Sequence, residues 1–312
     1  MGTRVARLQI EAVKNSANGL TCSMAKAVYG GHVDAEAAFL KSLSDAGLGR
    51  VSELEESTLI HVALQHAVWI PADSFVRAPW LAPFAVRKLR IRDDAYAPGP
   101  RRDLWGLPDD HGYFSDDNSL LKGVFRNRRV VPASGPYGGG PITRGLVCCH
   151  IWANTTSNPL LFSFVPNLVW LPRSLAPFSD AHHGTPHRLH EVLKSVSVAR
   201  YKAERLQVGA SRVALAWQAL TAESVLDSRN GGNEFVLADQ LVDLVEGRLS
   251  RLTEFLAATL DPAARPPARF SKRYHAGTGK GIDPSVWPVQ RIVPEHARLE
   301  MIEMLQSSRE PV

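Results

Sequence analysis

Apolar and polar positions recur along this chain with two different periods, and each change of period marks an element. Asp34 stands before Ala35, Glu36, Ala37, Ala38, Phe39 and Leu40, an N-cap followed by good helix formers, and Gly47 to Gly49 closes the segment. Ser52 to Ile70 carries a capping signal in Ser52, Glu53, Leu54 and Glu55. Its apolar positions at Leu59, Val62, Ala63, Val68 and Trp69 extend the helical reading, with His61 and His66 expected at its surface or boundary. Pro186 to Leu206, Ser211 to Leu226 and Asn233 to Leu260 are further helical stretches. In the last, Leu241, Val242, Leu244, Val245, Leu249 and Leu252 step by three and four, describing a buried stripe and a possible dimer face. Between these regions the period shortens. Leu146 to Trp152 and Asn167 to Leu171 are short runs of β-formers, separated by a polar loop from Ala153 to Pro159. Pro172 cannot donate a ladder hydrogen bond, so the second strand stops there and Arg173 to Asp180 turns into a short helix.

That strand–loop–strand–helix stretch also carries the chemistry. A histidine, His150, ends the first strand, an amide, Asn167, opens the second, and a carboxylate, Asp180, closes the turn after it. In this order Arg144 to His183 resembles the HNH, or ββα-metal, endonucleases. The resemblance implies that His150 is a general base, that Cys149 occupies a metal-ligand slot, and that Asn167 anchors the loop carrying the histidine. It further implies ligands at the positions of Ala176 and Asp180. Asp180 suits that role and alanine does not, and Cys149 stands where Asp or His is usual. His182 and His183 follow directly, and His183 is a candidate to replace the ligand absent at Ala176. The residue-level alternative is a satisfied core histidine at position 150 beside two small buried cysteines.

The residue types suit phosphodiester hydrolysis. An imidazole titrating near neutrality deprotonates water at cellular pH, and a hard cation on a carboxylate stabilises charge on the phosphate. One divalent ion per site is therefore expected, magnesium first, with manganese or a softer ion as alternatives because a thiolate ligand favours softness.

Composition changes this picture in three ways. With 312 residues, 45% hydrophobic, the chain can bury a sizeable core, and its net charge is +5. Of the 36 basic residues 27 are arginine, whose fork matches phosphate and the guanine edge. Three cysteines exclude a disulfide framework and a cysteine-rich zinc finger. No apolar run is long enough to span a membrane and the first residues show no secretory pattern, so a cytoplasmic protein without membrane partners is expected.

Basic runs outside the hairpin are the expected DNA contacts: Arg126, Arg128 and Arg129, and the aromatic-interleaved Arg269, Lys272 and Arg273. Val86 to Arg92 alternates apolar and basic residues, as either a phosphate-facing strand or an edge strand blunted by charge. Asp109, Asp110, Asp116 and Asp117 form an acidic cluster. The glycines from Gly277 to Gly281 lack the spacing and the Ser or Thr of a P-loop, and no lysine has Asp or Glu two positions before it, which removes the PD-(D/E)xK nucleases.

The fold class expected is α+β, with a small ββα-metal core embedded between helical regions: a mainly helical region at 1–108, the core at 109–185, and a helical region with the basic segment at 186–312. Stand-alone architecture of this kind is similar to type II restriction endonucleases of the HNH class, which implies a homodimer reading double-stranded DNA. The competing expectation is a nucleic-acid-binding protein whose hairpin is degenerate and does not cleave.

Overall fold

The computed structural model describes residues 28–29, 32–83, 85–87, 114–116, 118–126, 136–137, 142–179, 188–202, 211–220, 233–234 and 241–250. Within them the chain is a mixed α and β structure. Its strands are β1 (Val28–Tyr29), β2 (His32–Asp34), β3 (Val68–Trp69), β4 (Ala85–Val86), β5 (Phe114–Ser115), β6 (Ile142–Arg144), β7 (Leu146–His150), β8 (Leu168–Pro172) and β9 (Asn233–Glu234). Its helices are α1 (Ala35–Asp45), α2 (Glu56–His66), α3 (Ala72–Arg77), α4 (Ser119–Arg126), α5 (Arg188–Tyr201), α6 (Ser211–Leu220) and α7 (241–250).

The longest pairing is the antiparallel hairpin of β7 and β8, which runs in register from Leu146 opposite Pro172 to His150 opposite Leu168. β3 pairs antiparallel with β8 and parallel with β9, giving a sheet of order β7-β8-β3-β9. This sheet takes strands from the N-terminal, central and C-terminal thirds of the chain. Every residue of β8 is buried, as a strand between two others and under helices must be. α5 packs against α2, α3 and the turns on either side of β8, and Tyr201 at its end donates to Ile70 O at 2.6 Å.

α1 shows why its sequence is a helix. The Asp34 carboxylate accepts from the Glu36 and Ala37 amides at 3.1 and 3.2 Å, satisfying two orphan donors at the positive end of the helix. Phe39 and Leu43, one turn apart, are buried. The helix ends where Gly47 takes φ +67°, with Leu48 N bonded to Leu43 O and Gly47 N to Ser44 O, the paired bonds of a Schellman cap. A second glycine is required by space. Gly145, at φ +91° between β6 and β7, lies so close to α1 that a Cβ there would stand 2.3 Å from Glu36 N and 2.5 Å from Asp34 Oδ1. The Arg144 guanidinium pairs with Asp34 at 2.8 Å beside it.

Three expectations from periodicity are corrected. Ser52 to Ile70 is not one helix: Val51–Glu53 is a 3-10 turn braced by Arg50 N donating to Glu53 Oε2, α2 spans only Glu56–His66, and Val68–Trp69 is β3. The gain is two-sided strand pairing for a β-branched and an aromatic residue, which outweighs continuing the helix. His66 is no surface residue. It is 2% exposed, its Nε2 lies 3.0 Å from Ser42 Oγ, and its ring sits edge-on to Phe39 and Tyr137. Burial lowers its pKa from 6.5 to about 3, so it is neutral. Finally, Asn233 and Glu234 open a strand beside β3 rather than a helix, and the helical stripe is described at 241–250. Of the alternating basic run only Arg87 after β4 is described; Lys88 to Arg92 lie outside the described residues.

Candidate active site

The hairpin places His150 at the last position of β7, and residues 151–164 then loop back to the 3-10 turn Val165–Asn167 that opens β8. Two residues set the geometry of this loop. The first is Asn167, fully buried, whose side chain meets the loop at three points. Its Oδ1 accepts from Trp152 N at 3.0 Å, and its Nδ2 donates at 2.9 Å to both Thr155 Oγ1 and Leu161 O. Its own carbonyl accepts from Ile151 N at 2.9 Å. An amide is needed here because one group must offer an acceptor and two donors within a dry site. A carboxylate would lack the donors, and a leucine would leave backbone groups orphaned.

The second is His150 itself. Its ring is half-buried and stacked on Phe162, with centroids 5.3 Å apart and planes inclined by 23°. Nε2 lies 2.9 Å from the Phe162 carbonyl oxygen. A carbonyl only accepts, so that nitrogen carries the proton and the lone pair belongs to Nδ1. Holding the other ring nitrogen on a backbone carbonyl is how a histidine base is kept in one tautomer and orientation.

The loop is fixed from outside as well. Trp80 Nε1 donates to Leu160 O at 2.8 Å, Leu81 N to Ser163 O at 3.0 Å, and Val165 N to Pro79 O at 2.9 Å. His190 of α5 places Nε2 on Ile151 O, and Ser197 Oγ donates to Pro166 O. Arg87 N donates to Thr156 O at 2.8 Å. Only Ala153, Asn154 and Ser157 in this loop are exposed, and Asn154 takes the left-handed φ of +57° that lets the tip turn.

The remaining candidates are distributed differently. Cys149 and Cys148 are buried on opposite faces of β7, opposite Val169 and Trp170. Burial pushes the Cys148 thiol well above its usual range, with Cys149 adding to the effect, so Cys148 is a small apolar side chain in the core. The Cys149 thiol donates to Val147 O in its own strand. Asp180 and His183 lie outside the described residues, as do Arg128, Arg129, Arg269, Lys272 and Arg273; Arg126 ends α4, and its side chain is not described. Ala176 opens the 3-10 turn Ala176–Ser179. Asp116 of the acidic cluster is buried and caps α4, its Oδ2 accepting from Leu120 N at 3.1 Å.

Among the described residues no group of three His, Cys, Asp or Glu side chains stands where it could hold a metal ion. Sulfur is a soft ligand and this thiol donates along its own strand, which does not fit a hard cation, so the described donors do not make a magnesium shell. His190 likewise acts on the loop backbone.

Sequence reasoning did not find Phe162, Thr155 or His190 as partners of this site. Phe162 contributes its backbone carbonyl, which no side-chain pattern signals, and His190 reaches the loop across 39 positions of sequence. No family model, curated protein or solved structure matches the chain. Among the described residues no helix is long and apolar enough to cross a membrane.

Proposed function

We propose that this chain is a metal-dependent endonuclease that hydrolyses phosphodiester bonds in double-stranded DNA, with His150 as general base. The observation that carries the reading is the pairing of two contacts: Asn167 holds the loop at Trp152, Thr155 and Leu161, and that loop presents the Phe162 carbonyl to His150 Nε2. His190 also rests Nε2 on a backbone carbonyl but is buried, whereas His150 is only half-buried and stands at a strand end.

In the reaction a water gives a proton to His150 Nδ1 as its oxygen attacks phosphorus, and the P–O bond to the leaving oxygen breaks. The imidazolium formed keeps its Nε2–H on the Phe162 carbonyl, where the hydrogen bond becomes charge-assisted. Asp180 and His183 would hold the cation of this proposal, magnesium being expected, and it would stabilise charge on the phosphate and on the leaving oxygen. Phosphate contacts are assigned to Arg126, Arg128, Arg129, Arg269, Lys272 and Arg273, and a homodimer reading a palindrome, as in type II restriction enzymes, is the matching assembly.

A second reading is favoured by Cys149, whose thiol donates to Val147 O in its own strand: a nucleic-acid-binding protein that retains the hairpin and lacks catalysis. Supercoiled plasmid incubated with the protein and magnesium, manganese or EDTA separates the two. Metal-dependent cleavage by the wild type, lost in His150→Ala with DNA binding retained, is the expected result. Binding without cleavage in any metal leaves the second reading, and wild-type turnover by His150→Ala removes His150 as the base.

A further inference from the structure

Val86 to Arg92 reads in sequence as either a phosphate-facing strand or a charged edge strand, and the structure brings Arg87 to the loop that carries His150. β4 ends at Val86, whose carbonyl accepts from Asp116 N at 2.8 Å, and Arg87 N then donates to Thr156 O. Thr156 adjoins Thr155, whose hydroxyl accepts from Asn167 Nδ2, and Leu168 beside Asn167 pairs with His150 in the hairpin register. Three non-covalent contacts joined by two peptide links therefore lead from Arg87 to the candidate base. Arg87 is tied to this loop by its backbone N–H to Thr156 O, a bond that any residue except proline would make.

The side chain is what distinguishes this position. Arg87 is half-buried, and among the described residues no hydrogen bond or ion pair engages its guanidinium. A fork of five donors beside a nuclease loop matches the oxygens of a phosphodiester. Arg144, by contrast, has its carboxylate in Asp34. Buried cations elsewhere are also occupied: Arg248 donates to the Leu81 and Leu120 carbonyls, and Lys194 pairs with Glu191.

We propose that Arg87 binds a backbone phosphate of the DNA at the rim of the His150 loop, juxtaposed there by the Arg87–Thr156 hydrogen bond. The proposal rests on the nuclease reading above and adds a residue to its substrate-binding surface. Arg87 acts on ground-state and transition-state phosphate alike, so its loss weakens binding to all sequences equally and leaves the identity of the base unaffected.

The test measures equilibrium binding of short duplexes in EDTA to a non-cleaving His150→Ala parent and to the same protein carrying Arg87→Gln, across a series of salt concentrations. The expected result is roughly tenfold weaker binding on every duplex and a slope of log affinity against log salt smaller by about one unit. Arg87→Lys keeps the charge and is expected to keep the slope. Should Arg87→Gln fail to fold, Arg87→Met retains the aliphatic stem and replaces it. Unchanged affinity and slope, with the parent binding DNA, overturn the assignment of Arg87 alone. A parent that binds no duplex overturns the nuclease reading and this inference together.

Discussion

Replacing Asn167 by alanine is the sharpest test of how the candidate site is held. The change removes three side-chain hydrogen bonds in a fully buried position, those to Trp152 N, Thr155 Oγ1 and Leu161 O. Their loss is not equal. The Thr155 hydroxyl keeps its own bond to Trp152 O at 2.7 Å, so it remains half satisfied. The Trp152 amide and the Leu161 carbonyl lose their side-chain partner inside the core. The Leu161 carbonyl still accepts from Phe164 N at 3.3 Å, so only the Trp152 amide is orphaned, and one orphaned buried donor predicts a loss of about 1–3 kcal/mol. The lower half of that range is expected, because the vacated space is polar and large enough to admit a water. Urea unfolding followed by tryptophan fluorescence reads the loss as a fall in midpoint at constant m. Cleavage, if the nuclease reading holds, falls further than stability alone accounts for, since the Phe162 carbonyl moves with the loop. A loss below about 1 kcal/mol would show that packing around residues 160–165, and not the Asn167 amide, fixes the loop, and the argument from hydrogen bonding would fail.

Two further outcomes follow from the fold. Gly145→Ala combines a φ of +91° with a Cβ 2.3 Å from Glu36 N, a backbone atom that cannot swing aside; the expected cost is about 2–4 kcal/mol, seen as a lowered Tm, and a neutral result would mean that α1 does not dock on the β6–β7 junction. His66 is neutral in the fold, its pKa lowered to about 3 by burial, whereas the unfolded chain takes up a proton near 6.5. The unfolded state therefore binds more protons between these values: stability is fully present above pH 6.5 and falls with decreasing pH towards 3, by at most about 1.4 kcal/mol per unit. Urea titrations at successive pH values should show that slope, and His66→Gln should flatten it; an equal slope in both proteins would place the acid lability elsewhere.

How much of this was legible beforehand differs from element to element. Local chemistry was readable where one short segment carries all of its own determinants. Asp34 caps α1, Gly47 ends it, and β7 and β8 stand where β-formers bounded by polar residues and Pro172 placed them. The mixed helix and strand content was likewise visible, because it is a sum of such local preferences. Where an outcome depended on remote pairing, periodicity misled. Val68 and Trp69 continue an apolar helical pattern, yet become a strand because β8 and β9 offer their backbones partners on both sides. Asn233 and Glu234 change state for the same reason, and His66 is drawn inside by Phe39 and Tyr137.

The site divides along the same line. A histidine ending one run of β-formers and an asparagine opening the next were legible in the sequence, whereas in the structure Asn167 closes a 3-10 turn and β8 starts at Leu168. That the asparagine's amide reaches Trp152, Thr155 and Leu161, that Phe162 lends a carbonyl to the histidine, and that His190 and Arg87 arrive at the same loop were decided by tertiary structure alone. Backbone carbonyls and amides are identical at every position, so a sequence records which side chains can bond to them and leaves to the packed fold which of them will stand within 3 Å.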